Sequence, residues 1–298
     1  MQIQKKAQFI GHNAAVYSIC PFHRPDLFLS SGGDGWIVEW DLNVPENGKL
    51  LAKTDSNIFS MLYLEDKNWV LAGNMYGGLH WIDLETGVNF KSVLQHKNGI
   101  FALFRLNKNE LLSLGGDGIL TKWDIEKCRA IESVELSRKS LRAIAKNDDY
   151  LAIASSDATI YLLNAQSLEL INKIEHAHEH SVFSVCFSPD SKYLLSGGRD
   201  AHLRIRLCEH SFEELPTQAA HLFTVNDIAY HPNGKIFASA SRDKTIRIWD
   251  AETFALLKVI DSIRFAGHLK SVNRLLWKGN LLLSCSDDRS IIAWAFEF

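Results

Sequence analysis

The chain has 298 residues, of which 46% are hydrophobic and 22% are charged, so it can bury a core of ordinary size. Its net charge of −3 excludes a whole-chain positive field that would attract nucleic acid or anionic lipid. Its apolar runs are too short for a membrane span, and its first residues lack a secretory signal. The five cysteines are scattered and form no C-x-x-C pair. We therefore expect a cytoplasmic protein without disulfides, metal, cofactor or membrane contact.

The first predicted elements form a group of short strands. A strand-like run, IQKKAQFI, occupies residues 3–10 and leads into Gly11 and His12. Two apolar runs follow, VYSIC and LFLSS, separated by the turn-forming letters FHRPD. After a tight turn around Asp34 comes WIVEWD, whose polar and apolar letters alternate as in a half-buried strand. After the run at residues 3–10, the residues up to Asp41 therefore predict three strands in succession.

This group recurs along the whole chain, and no segment shows sustained helical periodicity. Aligned on the Asp of the tight turn, the seven copies are anchored at Asp34, Tyr76, Asp117, Asp157, Asp200, Asp243 and Asp288. Upstream of most copies lies a His followed four residues later by a β-branched residue: His12 with Val16, His96 with Ile100, His178 with Val182, His221 with Val225, and His268 with Val272. Repeats of about 40 residues predict an all-β array in which neighbouring units bury each other's faces.

The combination of His, Ser-x-x-x-Asp and Trp-Asp, repeated at this spacing, resembles the WD-repeat family of β-transducin-like propellers. The resemblance implies one seven-bladed β-propeller domain over residues 1–298, with four antiparallel strands per blade. The last Trp, Trp294, lies in a third strand. We therefore expect residues 3–10 to supply the fourth strand of the last blade and so to close the ring.

Ser, His and Asp are also the components of a hydrolase triad. The resemblance implies a structural role instead, in which Asp accepts hydrogen bonds from the turn and from His, and Ser binds both His and the Trp indole. The four full sets are, in chain order, His12, Ser30, Asp34 and Trp40; His96, Ser113, Asp117 and Trp123; His221, Ser239, Asp243 and Trp249; and His268, Ser284, Asp288 and Trp294. Four equivalent sets around a ring favour architecture over a single catalytic centre.

Three units depart from this pattern. Unit 5 keeps His178, Ser196 and Asp200 but has Arg206 at the Trp position. The departures in unit 2 are Thr54, Ala72, Tyr76 and Ile82, and those in unit 4 are Ser137, Ile153 and Leu163 beside a retained Asp157. We expect these blades to pack through apolar contacts instead, with looser turns.

Function is expected in the loops of one face. In the family that the chain resembles, the residue five after the His and the residue before the Asp line the channel mouth. The first set is Tyr17, Phe59, Phe101, Arg142, Phe183, Asn226 and Asn273, and the second is Gly33, Met75, Gly116, Ser156, Arg199, Arg242 and Asp287. Aromatic residues and Arg are enriched at interaction hot spots, although an aromatic residue at the start of a strand can equally belong to the core. We expect a protein or peptide partner, with an acidic group or C-terminal carboxylate near the arginines.

Several alternatives remain open at this point. The run HAHEH (176–180) alternates His in a way that suits a metal site, whereas the resemblance makes His178 structural and its neighbours solvated. An RNA-associated accessory subunit would use the arginines and stacking aromatics, but the acidic balance disfavours nucleic acid. An enzyme on a propeller scaffold would need a convergent acid and base, and the channel-mouth positions offer only Asp287 as a carboxylate.

Overall fold

The structure, a computed structural model, describes residues 1–216 and 218–298. Its strands form seven antiparallel sheets, here called blades 1 to 7 in chain order. The first strand, β1 (Gln2–Ile10), precedes blade 1 and belongs to blade 7. No helix in the described part of the chain is long and apolar enough to cross a bilayer.

Blades 1 to 4 each contain four strands that pair in chain order. Blade 1 comprises β2 (Val16–Pro21), β3 (Leu27–Gly32), β4 (Trp36–Asp41) and β5 (Lys49–Lys53). Blade 2 comprises β6 (Ile58–Leu64), β7 (Trp69–Asn74), β8 (Gly78–Asp83) and β9 (Asn89–Leu94). Blade 3 comprises β10 (Ile100–Arg105), β11 (Glu110–Gly115), β12 (Ile119–Asp124) and β13 (Arg129–Glu135). Blade 4 comprises β14 (Leu141–Lys146), β15 (Tyr150–Ser155), β16 (Ile160–Asn164) and β17 (Leu170–Ile174).

Blades 5 and 7 differ slightly from this plan. Blade 5 comprises β18 (Val182–Phe187), β19 (Tyr193–Gly198), β20 (His202–Leu207) and two short outer strands, β21 (Glu213–Glu214) and β22 (Gln218–Ala219). Blade 6 comprises β23 (Val225–Tyr230), β24 (Ile236–Ser241), β25 (Ile246–Asp250) and β26 (Leu256–Ile260). Blade 7 comprises β27 (Val272–Lys278), β28 (Leu281–Ser286), β29 (Ser290–Glu297) and β1. The described helices are 3-10 turns at Glu65–Lys67 and Cys208–His210 and the α-helix α1 (Ser262–Phe265).

The position of a strand within its blade determines whether its residues are mainly apolar or mainly polar. The second strands are covered on both faces, and every residue of β3 and of β24 is buried. Those strands are therefore runs of small and apolar residues. The fourth strands form the outer edge, and β9 and β13 are mostly exposed and rich in polar residues.

The hydrophobic core lies between the blades rather than at one centre. Seven buried clusters each join one blade to the next, as where Trp294 of blade 7 packs with Ile236 and Ala238 of blade 6. The first strands contact each other around the ring, including β27 with β2. The seven-bladed propeller predicted from the repeat is thereby confirmed.

The ring is closed by β1, as the sequence predicts. This strand pairs antiparallel with β29 from Gln2 opposite Glu297 to Ile10 opposite Ser290. Its Phe9 is 1% exposed and meets Phe28 of blade 1 edge-on, at 5.0 Å between ring centroids. The two ends of the described chain therefore share one blade, and β1 also covers the boundary with blade 1.

The tight turns between the second and third strands share one conformation. At the position after the anchor residue, all seven blades have a positive φ, between 66° and 88°, at Gly35, Gly77, Gly118, Ala158, Ala201, Lys244 and Arg289. Blades 1 to 3 use Gly, which adopts this conformation without penalty, whereas blades 4 to 7 place a side chain there. The turn geometry is thus retained even where the sequence does not favour it.

Replacing Ala201 by Gly is therefore expected to raise the free energy of unfolding by roughly 0.5–1 kcal/mol. Left-handed backbone costs a non-Gly residue about 1–2 kcal/mol, and the greater chain entropy of Gly offsets part of that gain. Urea denaturation measures the difference. The reverse change, Gly118→Ala, should destabilise, because the new Cβ would lie 1.8 Å from the Ser137 carbonyl oxygen. A lower stability for Ala201→Gly would contradict this account of the turn.

Candidate functional site

Four blades contain a chain of hydrogen bonds between His, Asp, Ser and Trp. In blade 6, His221 Nδ1 lies 2.9 Å from Asp243 Oδ2, and His221 Nε2 lies 2.8 Å from Ser239 Oγ. The same Ser239 Oγ accepts a hydrogen bond from Trp249 Nε1 at 2.9 Å. One serine hydroxyl therefore ties the third strand to the loop that carries the His.

Blades 1, 3 and 7 contain the same bonds between the same atoms. In blade 1, His12 Nε2 lies 2.7 Å from Ser30 Oγ, and Trp40 Nε1 donates to that oxygen at 2.7 Å. His12 Nδ1 lies 2.8 Å from Asp34. The corresponding sets, with distances between 2.7 and 3.0 Å, are His96, Ser113, Asp117 and Trp123 in blade 3, and His268, Ser284, Asp288 and Trp294 in blade 7.

Burial separates these sets from any substrate. The four serines, Ser30, Ser113, Ser239 and Ser284, are fully buried. The four tryptophans, Trp40, Trp123, Trp249 and Trp294, are at most 1% exposed. A hydrolase would need one of these hydroxyls to reach its substrate, so the arrangement fits architecture rather than a catalytic triad.

The electrostatics of these sets also fit a structural role. Burial alone would raise the pKa of the Asp243 carboxyl, but hydrogen bonds from His221, Thr245 and the backbone outweigh burial and hold that pKa well below its usual range. Burial lowers the pKa of His221, which keeps its imidazole neutral at pH 7. Because the carboxylate only accepts, Nδ1 carries the imidazole proton and Nε2 accepts from the serine.

Blade 5 replaces the missing Trp with a buried cation. Arg206 is 2% exposed, and its Nη1 donates to Ser196 Oγ at 3.2 Å, the place of the indole N–H. Its Nη2 donates to the Ala177 carbonyl at 2.9 Å and pairs with Glu214. His178 keeps both of its own bonds, at 2.9 Å to Asp200 and 2.9 Å to Ser196. The expectation that this blade relies on apolar contacts is therefore wrong.

Blade 4 also keeps a polar turn. Ser137, at the His position, donates to Asp157 at 2.6 Å, and Tyr161 donates its hydroxyl to the same oxygen at 2.7 Å. Ile153 and Leu163, at the Ser and Trp positions, are buried in the core shared with blade 3. Apolar packing thus replaces only half of the pattern here.

Blade 2 uses a different acceptor. Asn74 Oδ1 accepts from the backbone of Tyr76 at 2.9 Å and of Gly78 at 2.8 Å, which is the role of Asp elsewhere. Thr54, at the His position, instead bonds the carbonyl of Gly35 in the turn of blade 1. In this blade Ala72 and Ile82 do pack through apolar contacts, in the core shared with blade 1.

All seven residues found five positions after the His line one cavity at the channel mouth. The cavity has a volume of about 260 Å³ and is lined by Tyr17, Phe59, Phe101, Arg142, Phe183, Asn226, Asn273 and one further residue, Arg274. They converge because each begins, or nearly begins, the first strand of its blade, and these seven strands surround the axis. The repeat register therefore brings together side chains that are far apart in sequence.

The aromatic residues form a continuous arc along blades 1 to 3. Tyr17 meets Phe59 edge-on at 5.4 Å between centroids, and Phe59 stacks on Phe101 at 5.4 Å with planes 9° apart. Burial raises the pKa of the Tyr17 hydroxyl, and the nearby Asp287 carboxylate raises it further. The arc is thus an apolar wall that remains half-exposed at the cavity.

Arg142 extends this arc into blade 5. Its guanidinium carbon lies 4.2 Å from the ring centroid of Phe101 and 5.1 Å from that of Phe183, so the cation contacts both rings. Its Nε donates to Ser156 Oγ at 2.8 Å. Burial lowers the pKa of this guanidinium. The two ring contacts and the hydrogen bond hold the guanidinium at the wall of the cavity.

The two amides of the mouth hold neighbouring blades together. Asn226 Nδ2 donates to Ser271 Oγ at 2.9 Å and to the Val272 carbonyl at 2.8 Å. Asn273 Nδ2 donates to Asp287 at 2.8 Å and to the Val16 carbonyl at 2.9 Å. Their amide donors are already engaged, which leaves them a positioning role in this structure.

Of the residues before the anchor Asp, Ser156 and Asp287 hydrogen-bond to Arg142 and Asn273 of the cavity wall. Arg199 and Arg242 are exposed, and neither guanidinium pairs with a carboxylate of the described residues. Met75 is half-buried, and its backbone lies against Gly99 next to Phe59. Gly33 and Gly116 instead leave room for the rings of Tyr17 and Phe101, which approach within 3.6 Å and 3.0 Å of where a Cβ would lie.

Sequence reasoning missed a partly buried ion pair just inside the channel. Arg274 Nη1 lies 3.5 Å from Asp227, whose other oxygen accepts from the Leu275 backbone at 2.8 Å. Arg274 Nη2 also reaches the Phe101 carbonyl across the channel, at 3.4 Å. Burial raises the pKa of Asp227. Both residues lie six positions after a repeat His, one position further along the strand than those used in the prediction.

A second missed feature is apolar surface on the same face. Leu222 is 78% exposed, Phe223 58% and Leu269 69%, all in the loops that follow the His of blades 6 and 7. The Phe223 carbonyl accepts from Ser241 Oγ at 3.1 Å, which places this loop beside Arg242. An apolar residue directly after a repeat His is the sequence signal that would have found it.

The HAHEH run does not bring its three imidazoles together as a site. His178 uses both ring nitrogens for Asp200 and Ser196, while His176 and His180 are exposed. Among residues 1–216 and 218–298 no group of three His, Cys, Asp or Glu side chains is arranged to hold a metal ion. All five cysteines are free thiols.

A closed ring of seven four-stranded blades, with repeated His, Ser, Asp and Trp bonds, defines a β-propeller of repeats. The family model "WD domain, G-beta repeat" matches residues 3–41, 169–206, 212–250 and 260–295, which together make up just over half of the chain. The chain belongs to this family. Propellers of the family are typically non-catalytic and generally bind proteins.

Several known proteins are similar to this chain. It is 22% identical to Protein tipD of Dictyostelium discoideum over 97% of its length, and 27% identical to Pre-mRNA-processing factor 17 of Homo sapiens over 66%. It spans 48% of the first protein and 36% of the second, so about half or less of these relatives. The WD40 beta propeller domain of Doa1 superposes with a TM-score of 0.85 at 20% identity, over 99% of this chain and 97% of that one.

Proposed function

We propose that the protein is a non-catalytic interaction platform that binds a peptide or protein loop at the channel mouth. The observation that carries the proposal is the cavity of about 260 Å³, whose wall combines the Tyr17–Phe59–Phe101 arc with the fixed charge of Arg142. Aromatic and Arg side chains around a concave site are the usual anchors of protein recognition. Residues 1–298 act as one domain in this proposal, located in the cytoplasm, where thiols stay reduced.

The unpaired arginines favour a partner with a negative charge. Arg142, Arg199 and Arg242 belong to blades 4 to 6, and none of them pairs with a carboxylate among the described residues. A guanidinium binds carboxylates through two parallel hydrogen bonds, which favours an acidic group on the partner. The exposed Leu222 and Phe223 lie beside Arg242 and offer contact surface for apolar residues of the same partner.

The alternatives have less support. An enzyme needs an accessible nucleophile or an acid and base that converge on substrate, but the serines of the repeat sets are buried and Asp227 is neutralised by Arg274. RNA reading by stacking needs free ring faces, whereas Phe59 and Phe101 stack on each other and Phe101 and Phe183 cover Arg142. The name of Pre-mRNA-processing factor 17 is thus the main support for an RNA-associated role.

The Arg199→Glu/Arg242→Glu variant is expected to lose at least tenfold of the partner captured by the wild-type protein. Two charge reversals replace attraction of an acidic group by repulsion. Affinity capture from a lysate of the source organism, quantified by mass spectrometry, measures the change.

The matched control is Lys108→Glu/Lys235→Glu, which makes the same change of charge. Both lysines are exposed on turns between first and second strands, at the opposite face of the ring. This control should keep the partner. Equal capture by the Arg199→Glu/Arg242→Glu variant contradicts the acidic contact, and equal loss in both variants indicates an effect of net charge alone.

A further inference from the structure

We propose that the channel mouth receives the free carboxyl end of a partner chain and that Arg142 binds the terminal carboxylate. This inference rests on the proposed function and narrows it, because a chain end, rather than a loop or an internal acidic residue, becomes the ligand. The inference depends on the unpaired charge of Arg142, on how far the cavity extends inward and on how much room a ligand needs inside it.

Arg142 is a partly buried cation without a counter-ion. Buried charges in proteins are normally paired. Arg206 and Arg274, two other guanidinium groups that are at least partly buried, contact Glu214 and Asp227 respectively. For Arg142, in contrast, no carboxylate of the described residues lies within ion-pair distance, and only Nε has a hydrogen-bond partner, Ser156 Oγ.

The remaining donors of Arg142 are available to a ligand. Phe101 and Phe183 cover the guanidinium and hold its position, while Ser156 fixes Nε. The Nη1 and Nη2 groups make no hydrogen bond within the described residues, and the side chain lines the cavity. A carboxylate that accepted from them would supply the missing anion. Because the rings exclude water from part of the group, this pair should be stronger than one on the open surface.

One side chain crosses the channel below the cavity. Just below the mouth, Arg274 reaches across the channel to the Phe101 carbonyl and pairs with Asp227. Further inward the channel continues as a second cavity of about 210 Å³, which is also lined by Arg274. A chain that enters the mouth would therefore have to end at Arg274, turn back there or displace that side chain. A loop that turned back would place two backbones side by side, about 5 Å apart and each with its own side chains. A cavity of about 260 Å³ instead suits one chain end of one or two residues.

The apolar wall of the cavity favours an apolar side chain on the last residue of the partner chain. Tyr17 lies on blade 1, across the axis from Arg142 on blade 4, and Phe59 lies between them on blade 2. With its carboxylate on Arg142, the final residue would direct its side chain to this wall. The structure thus favours partners that end in an apolar or aromatic residue, and the terminal carboxylate, with an ordinary pKa of about 3.5, is ionised at pH 7.

The test uses two random octapeptide libraries, one displayed with a free carboxyl end and one with the carrier fused at that end. The wild-type protein should enrich sequences only from the first, with an apolar last residue. Enriched peptides are then synthesised as free acid and as C-terminal amide, and fluorescence anisotropy compares them. We expect the amide to bind at least tenfold more weakly.

The variants separate the charge from the shape of the cavity. Arg142→Gln should bind acid and amide alike, whereas Arg129→Gln, a change on the exposed outer strand β13, should keep the tenfold preference. The acid and amide comparison on the wild-type protein needs no variant, so it decides the question even if Arg142→Gln fails to fold. Equal binding of acid and amide overturns the inference.

The two libraries also distinguish this inference from the proposed function. Binders from the carrier-fused library alone, whose binding is lost in the Arg199→Glu/Arg242→Glu variant, overturn the chain-end inference and leave the platform function in place. Enrichment from neither library counts against both.

Discussion

A chain that begins at His12, and so lacks β1, is expected to lose cooperative thermal unfolding. The deletion removes Phe9 and Ile3, both buried, and exposes the edge of β29 along the full ladder from Gln2 to Ile10. Loss of one large core side chain costs about 2–5 kcal/mol, and total stability is typically about 5–15 kcal/mol. Two such losses, together with the opening of the ring, are expected to remove most of the free energy of unfolding. Differential scanning calorimetry measures the transition.

Two substitutions within β1 serve as controls for this deletion. Phe9→Ala should keep a cooperative transition but destabilise by about 3–5 kcal/mol, and Lys6→Ala, at an exposed site, should change stability by less than about 0.5 kcal/mol. A synthetic peptide of residues 1–11, added to the shortened chain, should restore part of the transition. An unchanged melting temperature after deletion would show that β1 does not fasten the ring.

Replacing Asp243 by Ala is expected to lower the free energy of unfolding by about 3 kcal/mol at pH 7. The substitution removes the acceptor of His221, of Thr245 and of the Leu222 backbone, and leaves buried donors without partners at about 1–3 kcal/mol each. Urea denaturation provides the measurement. Asp243→Asn keeps a neutral acceptor and should lose less, while Lys244→Ala, on an exposed side chain, should lose almost nothing.

The difference in the free energy of unfolding between the wild-type protein and Asp243→Ala is expected to depend on pH. The pKa of Asp243 is lower in the folded state than the value of about 3.9 in the unfolded chain. Its contribution is therefore complete above about pH 5 and declines as the pH falls below 4, so the gap between wild type and Asp243→Ala should narrow in acid. Burial lowers the pKa of His221, so acid destabilises through this group as well. A gap that widened below pH 4 would contradict the assignment.

The repeat made most of the fold predictable, because one register applied to all seven units. Once Asp243 and its equivalents were aligned, the first-strand positions followed, and the structure places Tyr17, Phe101 and Phe183 around one cavity. Ring closure was also predictable, since Trp294 lies in a third strand and the last blade lacked a fourth strand. Spacing and the alternation of side chains indicated the repeat and its strands, whereas the ring of blades and the channel-mouth positions were implied by the resemblance to WD-repeat propellers.

Contacts between different positions of the repeat could not be derived in this way. Arg206 replaces an indole by donating to the same serine, and Tyr161 shares Asp157 with Ser137. Such solutions depend on side-chain reach across strands, which a register does not specify. The pair of Arg274 and Asp227 joins two blades and became apparent only when the first strands were placed around the axis.

Ring closure also determines when the molecule can finish folding. Ile10 and Ser290 pair with each other although 280 residues separate them. At a ribosomal rate of about 5–20 residues per second, β1 waits roughly 15–55 s for β29 to be synthesised. Bringing such distant segments together costs on the order of 5 kcal/mol of chain entropy, so the last step should be slow. The exposed Gln4 and Lys6 on the waiting strand disfavour pairing with another nascent chain.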